Sequence, residues 1–177
     1  MQAVALEAGK PLRLFIALWP GQVLRRAIAS WQQDWVWPPG AALVKPDQLH
    51  LTLHFLGDVP AGRLPELVDR LNVQAEPFAL ELARGEVWPG GIAVLRPKSV
   101  PASLRRLHAA LARQLEDMAL PVESRPYRAH VTLARRATGA APPAHGAALP
   151  WPVDSGFVLV RSRPGADGYQ VIARFGQ

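Results

Sequence analysis

Nine consecutive residues of this chain recur without a gap. Lys45-Pro46-Asp47-Gln48-Leu49-His50-Leu51-Thr52-Leu53 aligns with Arg125-Pro126-Tyr127-Arg128-Ala129-His130-Val131-Thr132-Leu133, 80 residues further on. Both copies read basic, Pro, two variable residues, apolar, His, apolar, Thr, Leu. The offset is too long for a stacked solenoid repeat, so it marks a duplicated half-domain and predicts pseudo-twofold symmetry. The chain of 177 residues can enclose one core shared by two such halves. Residues 11–177 are therefore read as a single bilobal unit, and residues 1–10, which precede the first strong pattern, as a flexible tail.

Hydrophobic periodicity places the repeat within α+β architecture. Leu12–Trp19 reads as a buried strand closed by Pro20-Gly21, and Leu24, Ala27, Ile28, Trp31 and Trp35 then follow helical spacing. Leu49–Leu56 alternates, which predicts a strand with His50, Thr52 and His54 on one face and Leu49, Leu51, Leu53 and Phe55 on the other. A second helix is marked by Leu64, Leu67, Val68 and Leu71. Strands Pro77–Val87 and Ile92–Leu95 join through Trp88-Pro89-Gly90-Gly91, and a longer third helix buries Leu104, Leu107, His108, Leu111, Leu115 and Met118. Arg128–Ala134 alternates again, Thr138–Pro150 reads as a loop, and Phe157–Val160 with Tyr169–Phe175 makes a terminal hairpin.

If the halves pack face to face, each contributes one His and, two residues later, one Thr to a common cleft. Imidazole titrates near pH ~6.5, so one neutral and one protonated copy can act as base and acid at neutral pH without a metal. Two hydroxyls can hold the non-bridging oxygens of a phosphoryl group between them. In-line displacement at phosphorus needs a base on the entering oxygen and an acid on the leaving one. A twofold pair of histidines supplies both.

Composition narrows the alternatives. The chain has no cysteine, which excludes a disulfide scaffold, a thiol nucleophile and a Cys-ligated zinc. A formal net charge of +6, mostly from arginine, suits an anionic partner. That excess concentrates in residues 84–136, which hold ten basic and four acidic side chains. Leu12–Trp19 contains Arg13 and is far shorter than the ~20 residues of a membrane span, and no signal-peptide pattern precedes it. A soluble, cytoplasmic monomer without membrane contact is expected.

The blocks RLFIAL, VKPDQLHLTLHFLGDV, RPYRAHVTLAR and FVLVRS, in this order and spacing, resemble the 2H phosphoesterase superfamily, specifically its RNA 2′,3′-cyclic phosphodiesterase branch, also called 2′-5′ RNA ligase-like. The resemblance spans nearly the whole chain beyond the tail. It implies a bilobal α+β fold of two pseudo-symmetric halves, each an antiparallel sheet with helices packed outside, and an active site in the central cleft. The implied activity is hydrolysis of RNA or nucleotide 2′,3′-cyclic phosphates to 2′-phosphates, with no metal and no cofactor. By position, His50 corresponds to the proton donor to the leaving 3′ oxygen and His130 to the proton acceptor. Thr52, Thr132 and Arg135 correspond to phosphate-binding residues.

Alternation raises a conflict at Arg135, because His130 and Thr132 put Ala134 on their face. Arg135 reaches the cleft only if the strand ends or bulges there. His54 stands where relatives commonly carry lysine and is read as a cleft-rim residue and candidate RNA contact. Tyr127 and Arg128 are further candidate RNA contacts, Tyr127 as a base-stacking ring. A His50–His54 metal pair lacks companion ligands at a recognisable spacing. His108 is read as a packed histidine and His145 as a solvated one. Trp31, Trp35, Trp37, Trp88 and Trp151 are read as packing residues. The alternatives are 2′-5′ RNA ligation, another cyclic phosphoester in the same cleft, or a non-catalytic RNA-binding module.

Overall fold

The computed structural model describes residues 9–154, 156–165 and 168–176. Residues 1–8, most of the expected tail, lie outside the described residues. The elements in chain order are β1 (Leu12–Leu18), α1 (Gln22–Gln33), β2 (Ala42–Leu43), β3 (Leu51–Val59), α2 (Leu64–Arg70), β4 (Phe78–Trp88), β5 (Ile92–Pro97), α3 (Ala102–Asp117), β6 (Val131–Arg135), β7 (Leu149–Val153), β8 (Phe157–Arg163) and β9 (Gly168–Phe175).

The duplication is visible in the boundaries themselves. β1, α1 and β3 begin at residues 12, 22 and 51, and β5, α3 and β6 begin at 92, 102 and 131, a constant offset of 80. In the strand order β7-β4-β5-β6-β3-β1-β8-β9 the equivalent strands β6 and β3, and outside them β5 and β1, flank the centre symmetrically, with β2 added beside β6. All pairings are antiparallel, and the halves join where Leu51 pairs with Val131. These two residues hold the same place in the repeated segment, so the pseudo-twofold axis passes between the two motif strands. The two expected sheets are thus one curled sheet, linked at its centre.

Helix burial explains the layering. Leu104, Leu107, Leu111 and Leu115 of α3 and Ile28 and Trp31 of α1 enter the same core as Leu14, Ile16, Leu53, Leu95, Leu133 and Leu159 of the strands. Alternate residues of the first-half strands face the other way: Phe15, Ala17, Val158 and Val160 form a second, smaller cluster with Trp19, Tyr169 and Val171. That helix-free face carries the motif histidine His50. Among the described residues no helix is long and apolar enough to cross a membrane.

Two strands were not predicted. β7 lies inside and beyond the expected loop and contains Pro150 and Pro152. It pairs only with β4 on the described path, and a prolyl nitrogen is tolerated on an edge because no further neighbour needs its hydrogen. The two-residue β2 is too short to carry a period.

Candidate active site

Both motif strands carry an extra residue at the same place of the repeat, and β3 has a further one at Leu56. In β3, Thr52 opposes Ala17 and His54 opposes Ile16, leaving Leu53 as a bulge. In β6, Thr132 opposes Val94 and Ala134 opposes Ala93, leaving Leu133. An inserted residue shifts the in-out alternation by one beyond the bulge. Hence Thr132 shares its face with Arg135 rather than with Ala134, and Thr52 shares its face with Phe55 rather than with His54. The bulge resolves the conflict at Arg135.

The histidines are held identically. His50 Nδ1 donates to the Gln48 carbonyl at 2.7 Å and His130 Nδ1 donates to the Arg128 carbonyl at 2.6 Å. A carbonyl can only accept, so Nδ1 carries the proton in the neutral ring and Nε2 keeps its lone pair. His50 Nε2 lies 3.0 Å from Thr52 Oγ1, which places the motif hydroxyl beside the reactive nitrogen. Burial foremost, and then the nearby positive charges of His130 and Arg135, push His50 down to about 4. Burial lowers His130 as well, with Arg128, Arg96 and Arg135 adding to the effect against the bond to the Arg128 carbonyl. Arg135 therefore acts electrostatically on both imidazoles, so His50, His130 and Arg135 converge on one place.

The walls around the pair differ. Phe15 and Trp19 stack on the His50 ring at 4.8 and 5.4 Å between centroids, and Tyr169 meets it edge-on at 5.2 Å. Gly168, at φ +68°, has no side chain to collide with Gln48, whose carbonyl orients His50. His130 instead meets Trp88 edge-on at 4.5 Å, and the Arg128 guanidinium lies 4.1 Å above the Trp88 ring. Trp88 Nε1 donates to Glu86 at 2.7 Å, and Arg96 and Arg128 approach the same carboxylate at 3.4 and 3.6 Å. One wall is aromatic and the other is a cationic network.

Several expectations change here. His54 is not a rim residue: it is 3% exposed, donates from Nε2 to the His108 carbonyl at 2.8 Å and stacks on the His108 ring at 4.0 Å. The bulge at Leu53 turned it into the helix-facing core. Tyr127 does not offer a free ring to a base, because it stacks on His108 at 3.9 Å and its hydroxyl donates to the Thr52 carbonyl at 3.0 Å. Trp88, read as packing, belongs to the site, as do Phe15, Trp19, Phe55 and Tyr169, which sequence reasoning missed. For Phe15 and Trp19 a signal existed, since they alternate with Ala17 at the end of β1. His108 is packed as expected, Trp31, Trp35 and Trp151 are buried, and Arg128 lies at the site. A recess of about 900 Å³ borders the aromatic wall at Trp19 and is otherwise lined by residues such as Val23, Trp151 and Phe157, away from the motif residues.

Fold and cleft define a phosphoesterase of the duplicated, two-histidine type. The chain belongs to the 2′-5′ RNA ligase superfamily, whose family model matches residues 22–165. It is 34% identical to the RNA 2′,3′-cyclic phosphodiesterase of Thermus thermophilus over 93% of this chain and 89% of that one. The RNA 2′,3′-cyclic phosphodiesterase of Escherichia coli is 31% identical, over 74% and 76% of the two chains. Among solved structures, E. coli LigT complexed with 3′-AMP superimposes with a TM-score of 0.81 at 28% identity, covering 93% of this chain and 97% of that one.

Proposed function

We propose that this protein hydrolyses 2′,3′-cyclic phosphate ends of RNA or nucleotides to 2′-phosphates, using the two motif histidines and no metal. The observation that carries the reading is the matched pair of Nδ1 bonds, which leaves both Nε2 lone pairs, that of His50 beside Thr52 Oγ1, to exchange protons near Arg135. Water attacks phosphorus while His130 Nε2 takes its proton. The bond from phosphorus to O3′ breaks, and the His50 imidazolium gives its Nε2 proton to that oxygen. The proton ledger closes when the two imidazoles exchange protons with solvent after release. The more enclosed His50 makes the stronger acid when protonated, which suits it to the leaving group. Thr52, Thr132 and Arg135 hold the non-bridging oxygens, where charge accumulates during displacement. Trp19 and Phe55 offer the nucleoside aromatic faces, and Arg128 and Arg96 attract the polyanion.

The test is product analysis with 2′,3′-cyclic AMP and with an oligonucleotide ending in a cyclic phosphate. A 2′-phosphate product, full rate in EDTA, and losses of ~10²-fold or more in both His50→Ala and His130→Ala are expected. Undiminished activity in either variant would sink the two-histidine mechanism. Binding without turnover of either compound would make the chain an RNA-binding module, and joining of RNA ends as the sole reaction would make it a ligase.

A further inference from the structure

A bulge leaves a carbonyl outside the regular ladder, and the bulges at Leu53 and Leu133 lie beside the residues assigned to phosphate. The Leu133 bulge carbonyl is held, and the Leu53 bulge carbonyl is faced, by a side chain from the helix of the opposite half. Gln32 of α1 is 2% exposed, and its Nε2 donates to the Leu133 carbonyl at 2.7 Å and to the Val44 carbonyl at 3.1 Å. The His108 ring of α3 faces the Leu53 carbonyl, which favours its protonated form, while its own carbonyl accepts from His54 Nε2 at 2.8 Å. Tyr127, in the segment entering β6, donates to the Thr52 carbonyl, so it links the approach to His130 directly to the strand following His50. His54, His108 and Tyr127 form a continuous stack with centroid spacings of 4.0 and 3.9 Å and interplanar angles of 20° and 18°. The first half thus grips the second motif and the second half grips the first.

From this crossed arrangement we propose that Gln32, His108 and Tyr127 are positioning residues for the reaction. They fix the two bulges, and the bulges aim Thr52 and Arg135 and set the distance between the imidazoles. None of the three is assigned to the substrate. Misplacement by about 1 Å in such a constellation is enough to cost orders of magnitude in rate. The inference rests on the hydrolytic reading of the cleft, but the contacts can be read out without turnover.

The experiment compares Tyr127→Phe, His108→Leu and His108→Gln with the parent. Phenylalanine keeps the ring in the stack and removes only the hydroxyl, and glutamine returns an N–H donor to the Leu53 carbonyl. Expected are an about 10-fold fall in kcat on 2′,3′-cyclic AMP at nearly constant KM for Tyr127→Phe and His108→Leu, and partial recovery in His108→Gln. The NMR titrations of the His50 and His130 rings should move in Tyr127→Phe as their spacing relaxes. A kcat within twofold of parent in both Tyr127→Phe and His108→Leu overturns the proposal, even if both melt at lower temperature, because they are then structural braces only. Should the parent hydrolyse no cyclic phosphate, the hydrolytic reading fails and the titrations decide alone: unmoved rings in Tyr127→Phe overturn the positioning role.

Discussion

At the scale of single residues, the tautomer of each motif histidine follows from one backbone bond, and the pH dependence follows from the surroundings. Both imidazoles are pulled below 6.5 in the free protein, His50 to about 4. The proposed mechanism requires one of them protonated and the other neutral, so kcat/KM should peak between the two apparent values of the pair, on the acid side of pH 6.5. Toward neutral pH it falls as the acid loses its proton. Arg135 lowers both histidines, so Arg135→Ala should shift the peak to higher pH while reducing kcat/KM by roughly 10-fold through weaker phosphate contact. A rate profile measured from pH 4 to 9 on both proteins checks this, and an unmoved peak would remove Arg135 from the pair's surroundings. His50, His130 and the two threonines were legible in the sequence because two copies of a short motif constrain each other. Arg135 was legible only by resemblance. Its side chain reaches the cleft through the bulge at Leu133, and nothing in a run of alternating residues announces an extra one.

At the scale of elements, the bulges and the helices that grip them decide which side chains become core. His54 looked like a polar-face residue because alternation counts from His50, and the bulge at Leu53 reversed that count. β7 escaped notice because two prolines in five residues contradict a strand unless it lies on an edge. By contrast α1 and α3 were legible because their buried residues repeat at the helical period, and β1 and β8 because each contains a short apolar run. The His54–His108 pair also has a thermodynamic consequence. Burial lowers both rings, and the neighbouring His54 charge helps bring His108 to about 4. Since the folded values lie below the unfolded value near ~6.5, the unfolded chain binds more protons in between. The contribution of His108 is intact above pH 6.5 and is lost as pH falls toward about 4, and that of His54 is lost in the same direction. Thermal melts should therefore show a lower Tm at pH 5 than at pH 7.5, and His108→Leu should melt lower at pH 7.5 but lose less on acidification. An equal acid-induced drop in the variant would place the effect on other groups.

At the scale of the whole molecule, the charge excess has to be divided between two faces of one sheet. Residues 84–136 carry ten basic and four acidic side chains, yet several of the arginines lie on α3, on the helix side. Arg105 and Arg106 are exposed there, and Arg106 pairs with Glu76. Arg125 is 83% exposed and pairs with Glu123 at 2.9 Å, so it is engaged within its own loop. Arg96 and Arg128 instead converge with Trp88 and Glu86 next to His130. An RNA whose cyclic end occupies the cleft would lead its preceding phosphates across this cationic wall. Arg128→Ala should then reduce kcat/KM for a cyclic-phosphate oligonucleotide roughly 5-fold more than for 2′,3′-cyclic AMP, and should lower the salt-dependence slope of oligonucleotide binding by ~0.7. Arg105→Ala removes the same formal charge from the helix side and should leave both substrates within about twofold, since the screening length near physiological salt is only ~8 Å. Competition assays across a salt series measure both effects together. If Arg105→Ala and Arg128→Ala weaken the oligonucleotide equally, the net charge acts as a diffuse field; if only Arg128→Ala does, the wall beside His130 is the path of the RNA.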